Sequence, residues 1–170
     1  ESAPDRCVRI NSNSLNAKNV LMNMVSYLGQ DQFVPNHLSV QKVISLSIDK
    51  KDRTSFYEDE FIKGLLGKKI KHLSTGELRY LEVKLVLSNP SLFVLLDEPY
   101  NGLSPLMIEK IAEMINANLN KKGIIVTDHN YQDVTKIASK LVLIKDGKTH
   151  QIKEKSELVA KGYLSDTVFI

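Results

Sequence analysis

Two adjacent carboxylates, Asp97 and Glu98, close an apolar run in the segment Phe93-Val94-Leu95-Leu96-Asp97-Glu98-Pro99. A short run of this kind reads as a buried parallel strand. The C-terminal ends of such strands are where open α/β sheets bind ligands. Side chains alternate along a strand, so the two acids should point differently. One can hold a hydrated Mg²⁺ while the other faces an attacking water. The plainer alternative is a solvated strand end, and the pair alone leaves both open.

Three further features lie at positions that matter for such a site. Leu73-Ser74-Thr75-Gly76-Glu77 opens a helical pattern as a capping box: the Ser74 hydroxyl can accept the Glu77 amide, and the Glu77 carboxylate reaches back. Free amides and the helix dipole at such a start favour an anion. Thr127-Asp128-His129 ends the next apolar strand, and Gln30 follows a strand in Tyr27-Leu28-Gly29-Gln30-Asp31. Each has a bland alternative: mere capping for Ser74 to Glu77, a helix cap for His129, a turn residue for Gln30.

The elements that must position these residues fall into three zones. Residues 1–30 hold apolar stretches at 7–10 and 24–28, read as strands, separated by Asn/Ser-rich turns around 11–19. Residues 31–72 are charged and discontinuous; Val40, Val43, Ile44, Leu46 and Ile48, then Phe56, Phe61, Leu65 and Leu66, suggest a small helical insert. From residue 73 to 152, helices alternate with buried strands, the mark of a parallel α/β sheet. One helix runs from Ser74 to about Ser88 with Leu78, Leu81, Leu85 and Val86 on one face, stopped by Asn89-Pro90. A second starts at the cap Ser104-Pro105 and turns Met107, Ile111, Met114 and Ile115 inward. Residues 123–127 and 141–145 are strands, 131–139 a helix, and Asp146-Gly147 turns the chain into a hairpin with 148–152.

Composition agrees with a folded domain of ordinary size. The chain has 170 residues, 42% hydrophobic and 25% charged, which argues against wholesale disorder. Its net charge of +3 is too mild to argue for a nucleic-acid face, and none is expected as a partner. Cys7 stands alone, which excludes an intrachain disulfide and a cysteine-only zinc site. No apolar run approaches the roughly 20 residues of a membrane span, and no signal peptide is visible.

Taken together and in this order, the four features resemble the nucleotide-binding domain of ABC-type ATPases. LSTGE resembles the signature LSGGQ, LFVLLDEP resembles Walker B, TDH resembles the switch-histidine loop, and YLGQD resembles the Q-loop. The resemblance spans essentially the whole chain. It implies a P-loop NTPase-like α/β core with a mainly parallel sheet, built from residues 1–30 and 73–152. A Q-loop and helical subdomain would cover 31–72 and a C-terminal tail 153–170. It also implies that Glu98 polarises the attacking water, Asp97 supports Mg²⁺, His129 contacts the γ-phosphate and holds Glu98, and Gln30 senses metal and water. Ser74, Thr75, Gly76 and Glu77 would address ATP bound to the opposite subunit of a head-to-tail homodimer or heterodimer. The implied protein is an ATPase subunit at the cytoplasmic face of a membrane, docked on a transmembrane permease. The docking groove would lie near residues 31–40, where Phe33, Val34 and Leu38 are either contact residues or insert core. A soluble repair-type ATPase would need a long coiled coil between Gln30 and Leu73, where no heptads occur. A translation-type factor would normally carry two such domains. A non-catalytic interaction fragment is the reading outside enzymes.

The sequence departs from the family in one large respect. No G-x-x-x-x-G-K-[ST] loop, whose backbone amides wrap a phosphate, precedes Gln30. Gly147-Lys148-Thr149 has the ending, but Val142 occupies the first glycine position; Gly64 to Lys69 has the wrong spacing. The expectation is that a native segment precedes Glu1 and carries this loop with a strand or more and a helix, about 40–60 residues in typical lengths. The chain alone should then lack ATPase activity. Thr75 and Glu77 are substitutions that a capped helix start tolerates, whereas Ser104 lacks the carboxylate the family has there.

Overall fold

The computed structural model describes residues 8–10, 13–15, 24–154 and 156–164. Cys7, residues 11 and 12, and the remainder of the Asn/Ser-rich stretch beyond residue 15 lie outside them. The chain divides into two compact units, residues 1–130 and 131–170.

In the first unit, β1 (Val8–Ile10) pairs antiparallel with β2 (Asn13–Leu15). Strand pairing at 13–15 overrides the turn preference of Asn and Ser that the sequence suggested there. The central sheet has three strands in the order β3 (Val25–Leu28), β4 (Phe93–Asp97) and β5 (Gly123–Thr127), all parallel. Parallel neighbours require crossover connections, supplied here by the insert with α4 (Thr75–Ser88), and by α5 (Pro105–Asn116). Gly123 faces Phe93 across the register, and a Cβ there would sit 2.8 Å from the Phe93 ring. The glycine lets the ring lie against the neighbouring backbone.

The insert contains α1 (Val40–Ser47), α2 (Arg53–Glu58), α3 (Glu60–Lys63) and a 3₁₀ turn at Ile70–His72. Val40, Ile44, Phe56, Ile62, Leu65 and Ile70 are buried. Helical spacing across Phe56 and Phe61 is interrupted at Asp59, which ends α2 and caps α3 by accepting the Phe61 and Ile62 amides. Asp59 also accepts from the Tyr80 hydroxyl at 2.8 Å and from Lys84 at 2.5 Å, which ties the insert to α4. Partial burial works against the Asp59 charge, but the Lys84, Ile62 and Tyr80 bonds prevail and hold it below the usual carboxylate range. Burial, then the Asp59 bond, pushes the Tyr80 hydroxyl up.

Helix α4 (Thr75–Ser88) carries the expected capping box. The expectation of one buried face is corrected. Arg79 to Val83 and Leu85 to Leu87 are all buried, because the insert, the sheet and α5 surround the helix. Helix α5 (Pro105–Asn116) buries Ile111 and Ile115, with Met107 and Met114 half-buried. Ser104 stands at its N-cap without a side-chain capping bond; proline at the first turn serves instead.

In the second unit, α6 (Tyr131–Ile137) precedes the antiparallel hairpin of β6 (Leu141–Lys145) and β7 (Lys148–Ile152). Asp146 and Gly147 both have positive φ, 51° and 69°, as a tight hairpin turn of the mirror type demands. Helix α7 (Ser156–Ala160) adds Leu158 to a small core with Leu143 and Ile152. Among the described residues, no helix is long and apolar enough to cross a membrane.

Candidate functional site

Strand β4 ends on Asp97, and the backbone turns sharply at Glu98, whose φ is +48°. A left-handed residue with a side chain is strained by roughly 1–3 kcal/mol, which surrounding bonds must offset. They do so from both sides: the Glu98 amide donates to the Thr127 carbonyl at 2.7 Å, and the Glu98 carbonyl accepts from Arg79 at 3.0 Å.

The two carboxylates have separate partners. Asp97 accepts the Thr127 hydroxyl at 2.6 Å and the Tyr27 hydroxyl at 3.2 Å. Thr127 first, then Tyr27 and Gln30, hold Asp97 below the ordinary carboxylate range by stabilising its charged form, against partial desolvation. The Asp97 bond, in turn, is the main cause that raises the Tyr27 hydroxyl. Glu98 has one oxygen 2.8 Å from His129 Nε2, and the other accepts from Asn101 at 3.1 Å. Its side chain is 14% exposed, whereas that of His129 is 89% exposed, so the imidazole covers the acid and still faces solvent. Asp128 fastens the strand ends together by accepting the Tyr100 and Asn130 amides at 3.0 and 2.9 Å.

The start of α4 behaves as a self-contained anchor. Ser74 Oγ accepts the Glu77 amide, the Glu77 carboxylate accepts the Ser74 amide, and Lys68 reaches Glu77 at 2.7 Å. Lys68, then the Ser74 amide, lowers the Glu77 carboxyl. The amides of Thr75 and Gly76 take no part in this box and remain oriented as first-turn donors. A Cβ on Gly76 would meet the Met107 side chain at 3.4 Å, an ordinary contact, so α4 and α5 pack closely here.

The structure therefore brings Gln30, Asp97, Glu98 and His129 to one sheet end. Ser74, Gly76 and Glu77 bond or pack at the start of α4, and Thr75 lines a cavity of about 520 Å³ with Gln30, Arg79, Glu82, Glu98 and Asn101. In the loop after Gln30, Val34 is buried and Phe33 is 51% exposed. No group of three His, Cys, Asp or Glu able to hold a metal occurs among the described residues. The oxygens around Asp97, one ionised and the rest hydroxyl or amide, form a hard donor set. Such a set suits Mg²⁺ shared with phosphates and water, not a closed protein cage. Thr127, Asn101, Arg79 and Glu82 were not foreseen as site residues. Asn101 follows Glu98 by one turn, a local signal; the partners of Arg79 and Glu82 are distant in sequence and left none.

No family model matches the sequence. The chain is similar to the lipopolysaccharide export system ATP-binding protein LptB of Acidithiobacillus ferridurans, at 30% identity over 128 residues, covering 73% of this chain and 53% of that protein. In fold it is similar to a solved ATP-binding subunit of an ABC transporter, with TM-score 0.71 and 16% identity over 90% of this chain and 69% of that one. It also resembles a dimeric ATP-binding cassette in a post-hydrolysis state with ADP and Pi, with TM-score 0.67 and 15% identity over 85% and 72% of the two chains. The chain spans about half the length of the curated relatives it matches.

Proposed function

This chain is a homologue of ABC-type ATP-binding proteins over 73% of its length, and on that premise we propose that it supplies the hydrolytic half of an ATPase site that energises transport through a membrane permease. The observation that carries this reading is the Glu98 carboxylate, gripped by His129 and Asn101 beside the ionised Asp97 at a parallel-sheet end. A carboxylate so held can polarise a water for attack on a γ-phosphate. His129 keeps it aimed and, being exposed, can reach the same phosphate. Gln30, bonded to Asp97 at that sheet end, would sense metal and attacking water. Mg²⁺, when bound, would neutralise charge on the phosphate oxygens; Asp97 and Gln30 would hold it directly or through water. The Thr75 and Gly76 amides, within the Ser74 to Glu77 start of α4, would address a nucleotide held by a second subunit. A solved cassette of similar fold is dimeric, which fits a pairing of two subunits. The exposed Phe33, in the loop after Gln30, is a candidate contact for the permease at the cytoplasmic membrane face.

The sequence itself contains no phosphate-cradling loop, so we infer that this polypeptide hydrolyses ATP only together with a segment that carries one. In the complete ATPase, Glu98→Gln should lower turnover by about a hundredfold or more, as loss of a general base does; retained turnover overturns the assignment. Titration of the isolated chain with a fluorescent ATP analogue should show weak binding or none, and micromolar binding would overturn the dependence on an added loop.

A further inference from the structure

Helix α4 carries two ionic side chains that the hydrolytic roles leave unused. Arg79 and Glu82, one turn apart, are 8% and 2% exposed. Ions buried so deeply must have partners, because desolvation of an unpaired charge costs several kcal/mol. Their contact with each other is loose, at 3.7 Å. Their short bonds go instead to main chain in other elements. Arg79 donates to the carbonyls of Gly29 at 2.8 Å, Asp97 at 2.6 Å and Glu98 at 3.0 Å. Glu82 accepts the amides of Phe33 at 3.0 Å and Val34 at 3.5 Å.

We propose that Arg79 and Glu82 are positioning residues that fasten the Glu98 peptide and both ends of the Gln30 loop to α4, so that base and loop shift together with the helix. This rests on the reading of Glu98 as the base. Gln30 lies between two anchored points, Gly29 held by Arg79 and Phe33-Val34 held by Glu82. The strained Glu98 backbone is held on its carbonyl side by the same guanidinium. Contacts to main chain fix position whatever side chains the loop carries. A shift at the start of α4 is thus passed to Glu98 and to the Gln30 loop through two adjacent side chains of one helix. An apolar pair of similar size could fill the same space, often at no loss of stability, and would leave both links unmade.

The test follows from that last point. The double variant Arg79→Met, Glu82→Met removes both charges together and should stay folded by its melting curve. Hydrogen exchange of this chain should then show the Phe33 and Val34 amides exchanging about tenfold faster or more, while the Leu81 and Val83 amides in α4 keep their protection. In the complete ATPase, kcat should fall by about a hundredfold with KM for ATP little changed, as for a displaced catalytic group. Glu82→Gln, which keeps an acceptor oxygen, should restore loop protection and most of kcat. If the double variant does not fold, Arg79→Lys replaces it: one ammonium cannot reproduce the guanidinium fork, and the same kcat loss is expected. Unchanged exchange at Phe33 and Val34, or a loss spread equally through α4, overturns the link. Loss of kcat matched by a rise in KM overturns the positioning role. Absence of hydrolysis in the wild-type ATPase overturns the reading of Glu98 instead, and exchange alone then decides the link.

Discussion

The two faces of the three-stranded parallel sheet are made from the same residue types and meet opposite surroundings. On one face Leu28, Val94 and Leu96 are at most 1% exposed, with α4 packed against β3 and β4. On the other, Tyr27 is 61% and Ile125 59% exposed, and Phe93 is also open. Parallel strands ordinarily bury both faces and are apolar on both, and these strands have that composition. The covered face fixes the strands in space. The open face ends in Asp97 and Thr127, where a charged oxygen set meets solvent. Glu98 lies just past the strand and is held from the covered side by Arg79. The difference teaches that the two adjacent acids belong to different environments: one is tuned by hydroxyls on the open face, the other is aimed by a buried helix.

The sharpest way to break this comparison is to truncate one apolar side chain on each face. Leu96→Ala, on the covered face, should destabilise the protein by about 2–5 kcal/mol, through lost transfer energy and the cavity left behind. Urea melts monitored by far-UV circular dichroism would give the value. A loss below about 1 kcal/mol would mean that α4 does not form the close-packed layer over β4 that burial indicates.

How far the sequence allowed this to be foreseen depends on the range of the signal. The start and stop of α4 and the start of α5 were legible because Ser74-x-x-Glu77, Asn89-Pro90 and Ser104-Pro105 act within a few residues; nothing local marked where α5 ends. Asp97, Glu98, Gln30 and His129 stood out in the sequence because each lies at or just past the end of a strand. Burial of α4 on nearly every side was not. Its apolar residues at 81, 83, 85, 86 and 87 already surround the helix, but a search for one stripe conceals that. Arg79 and Glu82 gave no local signal, since their partners lie 50 and 49 positions away, at Gly29 and Phe33. Only the folded chain brings them together. The short strand Asn13–Leu15 was hidden for the converse reason: pairing with β1 outweighed residues whose local preference is to turn.

A second prediction sharpens the electrostatic side of the comparison. Asp97 is held below its ordinary value of 3.8 chiefly by the Thr127 hydroxyl. A carboxylate depressed in the folded state adds stability that is present above the unfolded value and lost as pH falls through the folded one. Thr127→Val keeps the shape and removes that donor. The Asp97 carboxyl, followed by carbon-detected NMR, should titrate nearer 3.8 than in the wild type. Stability should fall less steeply on acidification below about pH 4. An unchanged Asp97 titration would show that Tyr27 and Gln30, not Thr127, control the charge.

The smallest expected effect is on the open face itself. Ile125 lies between the ends of β5, in register with Leu95 of β4, with more than half of its surface exposed. Removing an exposed side chain forfeits little transfer energy and creates no cavity, so surface changes usually stay within about 0.5 kcal/mol. Thr is well suited to a half-covered strand position, and Ile125→Thr keeps the β-branch while dropping apolar area. The urea midpoint of this chain should therefore barely move, in contrast to the large loss from Leu96→Ala on the same sheet. A destabilisation above about 2 kcal/mol would place Ile125 in a packed layer, since a loss of that size at an apolar position requires burial. The two faces would then be alike, and the separation of Asp97 from Glu98 would need another cause than the side of the sheet on which each is held.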